Sequence, residues 1–186
     1  MKNGKVCFGI ALLGILLVIM IAPVSAATGT ASISGTAQSY AAITVVNPTS
    51  SIPLSVGTNT DTGVSLQITT NGPFSITVAD NTGRTNAGDK GYMGNYTTAY
   101  VAPPIDTILT NPMSMSGTTT TQGSETTTAS TITPPVSAAQ TLYTGSGAVT
   151  NQILPFTATQ TVVGTDHLLP GTNTYRIDLL FTLTSM

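Results

Sequence analysis

The sequence is poor in the residues on which most catalytic and metal sites depend. It has no tryptophan, one cysteine (Cys7) and one histidine (His167). A lone histidine supports neither a catalytic triad nor a histidine metal cluster, so we expect His167 to be a solvated turn residue. The carboxylates are scattered singly, and their spacing identifies no pair of catalytic carboxyl groups. These deficits predict a protein that is not an enzyme.

Charge is also scarce. Beyond residue 26 the basic residues are Arg84, Lys90 and Arg176, set against seven acidic residues, which gives a net charge of −4. Phosphate binding needs clustered Lys and Arg, so this balance excludes nucleic acid as a partner. Thr and Ser dominate the polar positions instead, and β-branched Thr favours strands. A Thr-rich, charge-poor surface suits an extracellular protein.

The N-terminus has the pattern of an export signal. Lys2 and Lys5 precede an apolar run over residues 6–24, and the small residues around Ala26 resemble a cleavage site. We therefore predict a helical signal peptide over residues 1–26.

Cleavage there would leave residues 27–186 as a single secreted domain with no membrane span and, because Cys7 lies in the signal, no thiol. Two alternatives are a retained membrane anchor and a pilin-type cut near Gly9 that keeps the apolar segment as an assembly helix.

The chain beyond the predicted signal is typical of an all-β protein. It shows no sustained helical periodicity, and short apolar runs alternate with Gly, Pro and Asn. This predicts an antiparallel two-sheet β-sandwich of the immunoglobulin-like Greek-key or jelly-roll type, with a barrel as the alternative. A Thr-rich, low-complexity stretch over residues 117–133 is predicted to be a loop or an irregular edge strand. The predicted strands cover residues 30–38, 42–46, 52–56, 64–68, 74–78, 112–115, 139–143, 154–163 and 175–184.

The strand pattern is clearest in the predicted hairpin over residues 64–78 and in the C-terminal strand. The runs 64–68 and 74–78 flank Asn71-Gly72, which predicts a tight β-hairpin. At the C-terminus, apolar side chains occupy every second position from Tyr175 to Leu183, which predicts one strand with one buried face. We expect Phe74, Ile76, Val78, Leu179 and Phe181 to form the rigid core.

The same two segments resemble the WxL domain family. Pro73-Phe74-Ser75-Ile76-Thr77-Val78 is similar to its aromatic-x-aliphatic motif, and Tyr175-x-x-x-Leu179-x-Phe181-x-Leu183 is similar to its distal motif. Phe74 and Phe181 stand where that family has tryptophan. The resemblance spans about residues 54–186. It implies an all-β surface domain attached non-covalently to the cell envelope, often beside other surface proteins.

A second resemblance concerns the end of the fold. Leu168-Leu169-Pro170-Gly171, followed by Tyr175, is similar to the corner before the penultimate strand of fibronectin-type sandwiches, yet here the chain ends after that strand. An open edge would accept a strand from another subunit. The segment 28–38, within a predicted N-terminal extension over residues 27–40, is a candidate donor. The alternative is that this segment pairs within its own domain.

Two sets of loop residues are candidate sites. Asp80, Asn81, Asn86 and Asp89 offer the oxygen ligands that calcium prefers, although turn residues have the same composition. No other cofactor is predicted. Asn95 begins the sequon Asn95-Tyr96-Thr97 and is a candidate for glycosylation. The nearby rings of Tyr92, Tyr96 and Tyr100 are either a binding face that stacks on sugars or anchors of the loop.

The sequence thus predicts a secreted, non-catalytic structural, binding or adhesion protein of the cell surface. Its expected partners are an envelope polymer or other surface proteins. The alternatives are a self-assembling fibre subunit that uses a donated N-terminal strand, which would be a homo-oligomer, and a carbohydrate-binding module.

Overall fold

The architecture is seen in a computed structural model, which describes residues 34, 38–81, 83, 84, 87–100, 108–132, 138–167, 169 and 173–186. The predicted signal peptide and most of the predicted strand over residues 30–38 lie outside this set. Within it, no helix is long and apolar enough to cross a membrane. The strands are β1 (Ala41–Val46), β2 (Gly57–Asp61), β3 (Ser65–Thr70), β4 (Phe74–Asp80), β5 (Gly94–Tyr96), β6 (Ser114–Gly117), β7 (Thr120–Gln122), β8 (Glu125–Ala129), β9 (Thr131–Ile132), β10 (Gln140–Gly145), β11 (Val149–Val162), β12 (Thr174–Arg176) and β13 (Leu179–Ser185).

These strands form two main antiparallel sheets. The first has the order β1-β3-β11-β6-β9, with β2 paired to the last residues of β11, and the second has the order β13-β4-β10-β8-β7. β5 and β12 form a separate two-stranded antiparallel ribbon. Apolar side chains of both sheets meet in one core, so the predicted β-sandwich is confirmed. The fully buried members include Leu66, Ile68, Phe74, Ile76, Val78, Leu142, Tyr143 and Leu154.

The predicted hairpin at Asn71-Gly72 is wrong, although both of its strands exist. β3 pairs with β1 and β11 in the first sheet, whereas β4 pairs with β10 and β13 in the second. Among the described residues, the positive φ angles that a tight hairpin turn needs fall elsewhere, and neither Asn71 nor Gly72 has one. The Asn71 side chain instead binds the start of β1, accepting from the Tyr40 amide at 2.7 Å and donating to the Gln38 carbonyl at 2.6 Å. The chain therefore crosses from one sheet to the other as an arch.

The predicted strand over residues 52–56 is also wrong, because the strand comes after it as β2. Gly57 has a φ of 113°, which only glycine adopts readily, and it turns the chain there. Asn59, which is buried, then holds the turn by accepting from the Ser55 amide at 3.0 Å and donating to the Ser55 carbonyl at 2.7 Å.

The Thr-rich stretch is built of strands. β7 and β8 form a hairpin at the edge of the second sheet, and β9 lies at the edge of the first. Thr127 is fully buried and donates to Gln152 of β11 at 2.8 Å. Gln152 in turn donates to Thr120 at 3.0 Å, so a satisfied hydrogen-bond chain joins the two sheets. Of the two sequence-based alternatives, the edge strand is the one that the structure shows.

The C-terminal strand has the predicted alternation but not the predicted continuity. β12 pairs with β5, and after Ile177 and Asp178 the chain joins β4 as β13. The amide of Asn81 donates to the Asp178 carbonyl at 2.8 Å, where the chain changes partner. The inward residues of β13 are only half buried, unlike Phe74, Ile76 and Val78. Leu179 and Phe181 are therefore at the margin of the core and not at its centre.

Packing at Gly145 gives a first test of the core. A Cβ at this position would overlap the ring of Phe74, which is fully buried and has no room to move. We expect Gly145→Ala to lower the free energy of unfolding by about 1–3 kcal/mol, the usual cost of overpacking. Urea denaturation measures the change. Gly164→Ala is the matched control, because its Cβ would enter open space. Equal effects of the two substitutions would contradict the packing.

Tyr143 gives a second test. Burial raises the pKa of Tyr143 to about 12, although the hydrogen bond from the Thr118 amide lowers it. The Tyr143 hydroxyl donates to the Pro155 carbonyl across the sandwich. Tyrosine in the unfolded chain has a pKa near 10. The stability that the fold gains from keeping Tyr143 protonated is therefore complete below pH 10 and is lost as the pH rises towards 12. We expect a loss of about 2 kcal/mol over that range. Tyr143→Phe should reduce the pH slope of urea denaturation, and the surface control Tyr40→Phe should leave it unchanged.

Candidate binding site

The loop after β4 is held by a buried carboxylate. The Asp80 side chain is fully buried, lies 3.5 Å from the guanidinium of Arg84, and accepts from the Gly91 amide at 2.6 Å. Arg84 also donates to the Tyr92 carbonyl. These bonds satisfy a charge that would otherwise be costly to bury. Asp80 therefore holds Arg84 and Gly91 of this loop close to the end of β4 in the second sheet.

Two of the other three candidate calcium ligands belong to the described part of this loop. Asn81 is exposed, Asp89 is half buried in the 3-10 turn Ala87–Asp89, and Asn86 lies outside the described residues. Over the part of the chain that the structure describes, no three His, Cys, Asp or Glu side chains are grouped to hold a metal ion. Calcium binding by this loop stays a prediction.

Two of the three candidate tyrosines form a charged cluster with the segment before β13. The rings of Tyr96 and Tyr100 meet edge to face at 5.1 Å between centroids. The guanidinium of Arg176 lies 4.3 Å from the Tyr96 centroid, and the Tyr100 hydroxyl donates to Asp178 at 2.8 Å. Arg176 binds the same carboxylate, with its Nε 2.8 Å from Oδ1. These contacts tie the loop to the segment before β13, and a sugar-binding role for the rings stays a prediction.

Asn95 and His167 each accept a hydrogen bond from a nearby residue. Asn95 is half buried in β5, and its side-chain oxygen accepts from Asn173 at 3.0 Å. Its glycosylation stays a prediction. The carbonyl of His167 accepts from the Tyr175 hydroxyl at 2.9 Å, and its side chain is exposed, as expected for a turn residue.

A feature that the sequence did not reveal is an apolar groove between the sheets. It has a volume of about 480 Å³, and residues of both sheets and of the segment 48–54 line it. Phe156 of β11 forms part of its wall, and Phe181 of β13 packs on it with 5.4 Å between the ring centroids. Further apolar lining comes from Val45, Pro48, Ile52, Leu54, Val64, Met93, Met113, Ala158, Ile177 and Leu179.

The groove lies next to the edge strands of both sheets. β1 is the edge strand of the first sheet and β13 is the edge strand of the second, among the strands that the structure describes. Among the described strands, β13 pairs with β4 alone, through all seven of its residues. Its inward side chains Leu179, Phe181 and Leu183 pack against the core while staying half exposed. Within the described part of the chain, the outer edge of β13 therefore has no strand partner and lies beside an apolar cleft, which is the geometry that accepts an added strand.

Comparisons with protein-family models, curated proteins and solved structures found no match to this chain. Its function must therefore be inferred from the geometry and from the sequence.

The charged cluster can be tested at Tyr100. Burial, followed by the hydrogen bond and charge of Asp178, raises the pKa of this phenol well above its usual value of 10. We expect Tyr100→Phe to lower the free energy of unfolding by about 1 kcal/mol at pH 7, the net value of one such hydrogen bond. It should also remove one late-titrating group from the alkaline absorbance titration. Tyr92→Phe in the same loop is the control, and an unchanged titration in Tyr100→Phe would contradict the assignment.

Proposed function

We propose that this chain is a secreted, non-catalytic structural and binding protein of the cell surface, which associates with the cell envelope by holding an extended segment of another surface protein. The observation that carries the proposal is the open side of the sandwich, defined by the edge of β13 that no described strand covers and by the groove beside it. The export pattern and the Thr-rich, charge-poor composition support an extracellular place of action.

The chemistry of the open side favours a protein partner over a charged polymer. The groove is lined mainly by aliphatic and aromatic side chains, with Asp61 and Arg176 as its charged members. Added strands gain affinity from main-chain hydrogen bonds and specificity from alternate side chains that enter pockets. Half-buried Leu179, Phe181 and Leu183 would become fully buried against such a strand, at about 25 cal/mol for each Å² of apolar surface removed from water.

The resemblance to the WxL family adds support for envelope attachment. Of the two phenylalanines at the family's tryptophan positions, Phe74 is in the centre of the core and Phe181 lies in the groove. Phe181 is therefore the one of the two that could contact a partner directly.

The test is co-sedimentation of the purified secreted chain with cell envelopes from the source organism. We expect saturable pelleting that Leu183→Lys abolishes, because an inward-pointing charge at an edge strand opposes strand addition. Thr182→Lys places the same charge on the exposed face of β13 and should pellet like the wild type. Far-UV circular dichroism confirms that both variants keep their β structure. Absence of pelleting by the wild type, or equal pelleting by both variants, would refute the proposal.

A further inference from the structure

The segment just before the described sandwich has the side-chain pattern of a strand that could fill the open side. From residue 27 to residue 38, odd positions carry Ala, Gly or Ile and even positions carry Thr, Ser or Gln. We propose that residues 28–37 of a second copy of this chain pair with the free edge of β13, so that copies join head to tail. This names the partner for the open side, and it rests on the function proposed above.

The dimensions agree. β13 has seven residues, so it spans about 23 Å at 3.3 Å per residue. Ten residues of extended chain reach about 33 Å at the same rise, which covers the whole edge. The odd-numbered face offers one large apolar side chain, Ile33, flanked by Ala31 and Gly35. A single bulky residue between small ones suits a cleft that Phe156 and Phe181 already partly occupy.

The segment is also uncharged. Residues 27–38 contain no Lys, Arg, Asp, Glu or His. Burying a charge beside Leu179, Phe181 and Leu183 would cost free energy, and this segment brings none into the cleft. Its even-numbered hydroxyl side chains would lie on the outer face, where Thr182 and Thr184 of β13 are exposed.

The point at which the segment leaves the sandwich favours a second copy. Asn71 binds Gln38 and Tyr40 as an extension of β1, beside the arch that joins Thr70 to Phe74. β13 ends at the same arch, where the Met186 amide donates to the Pro73 carbonyl at 2.9 Å. Residue 38, where the preceding segment joins the sandwich, therefore lies at the same end of the sandwich as the last residues of β13.

This placement sets the direction of any pairing within one molecule. A segment that ends at Gln38 would have to reverse immediately beyond the arch and run parallel to its own β13. A segment from a second copy needs no reversal and can pair antiparallel, which is the slightly more stable arrangement. Because the donor segment and the acceptor edge are different surfaces, the contact is heterologous and extends into a filament unless the rotation closes a ring.

Disulfide trapping distinguishes the two arrangements. The chain is expressed with Cys7→Ser, which removes the native thiol whether or not the signal is cleaved, and Ile33→Cys is combined in turn with Leu179→Cys, Phe181→Cys and Leu183→Cys. Oxidation should give a ladder of covalent oligomers for at least one pair. Ile33→Cys with Ile153→Cys, which is exposed on β11, is the control and should give no ladder. A crosslinked monomer, or no crosslink in any pair, would overturn the proposal.

Assembly of the variants supplies the second readout. By sedimentation velocity, we expect the wild type to form oligomers, Ile33→Asp to lose them, and Ser34→Asp, on the opposite face of the same segment, to keep them. Oligomers that survive Ile33→Asp would also overturn the proposal. Envelope pelleting separates this inference from the proposed function. If crosslinks form only within one chain while pelleting still depends on Leu183, pairing with a second copy is refuted and the proposed binding to an envelope partner is kept.

Discussion

The packing of β3 against β4 across the sandwich is the constraint on which the rest of the fold depends. Asn71 binds the start of β1, so the chain leaves the first sheet and enters the second instead of forming a hairpin. Leu66 and Ile68 then face Phe74, Ile76 and Val78, and all five are fully buried. Every other strand of the two main sheets adds to one side or the other of this pair. The arch also brings the start of β1 and the end of β13 to one end of the sandwich.

Several polar groups buried near this core are satisfied by specific bonds, and the few charged residues of the chain take part in them. Thr127, Gln152 and Thr120 link the two sheets. Asp80 and Arg84 close the long loop, and Asp178 is shared by Arg176 and Tyr100 at the point where β12 gives way to β13. Two of the three basic residues beyond residue 26 therefore serve to anchor the loop and the C-terminal strand. The open side is left largely apolar.

The fold class could be predicted from the sequence because two-residue periodicity is a local property, and β1, β3, β4, β10 and β11 lie where the pattern indicated. The pairing could not. Asn71-Gly72 has hairpin chemistry, and only the contact with residues 38–40 shows that it forms an arch. Similarly, the alternation from Tyr175 to Leu183 indicates one inward face, but not that β13 is an edge strand whose face stays half exposed. The groove depends on several separated segments, and no short motif could have revealed it.

The central claim is that β13 has an unsatisfied edge until an extended segment covers it. Amide hydrogen exchange, measured on the monomer and on the chain in its assembled or envelope-bound form, tests this most directly. We predict that β13 exchanges faster than β4 in the monomer and becomes protected in the bound form, while β4 is protected in both. Slow exchange of β13 in the monomer, equal to that of β4, would contradict the claim.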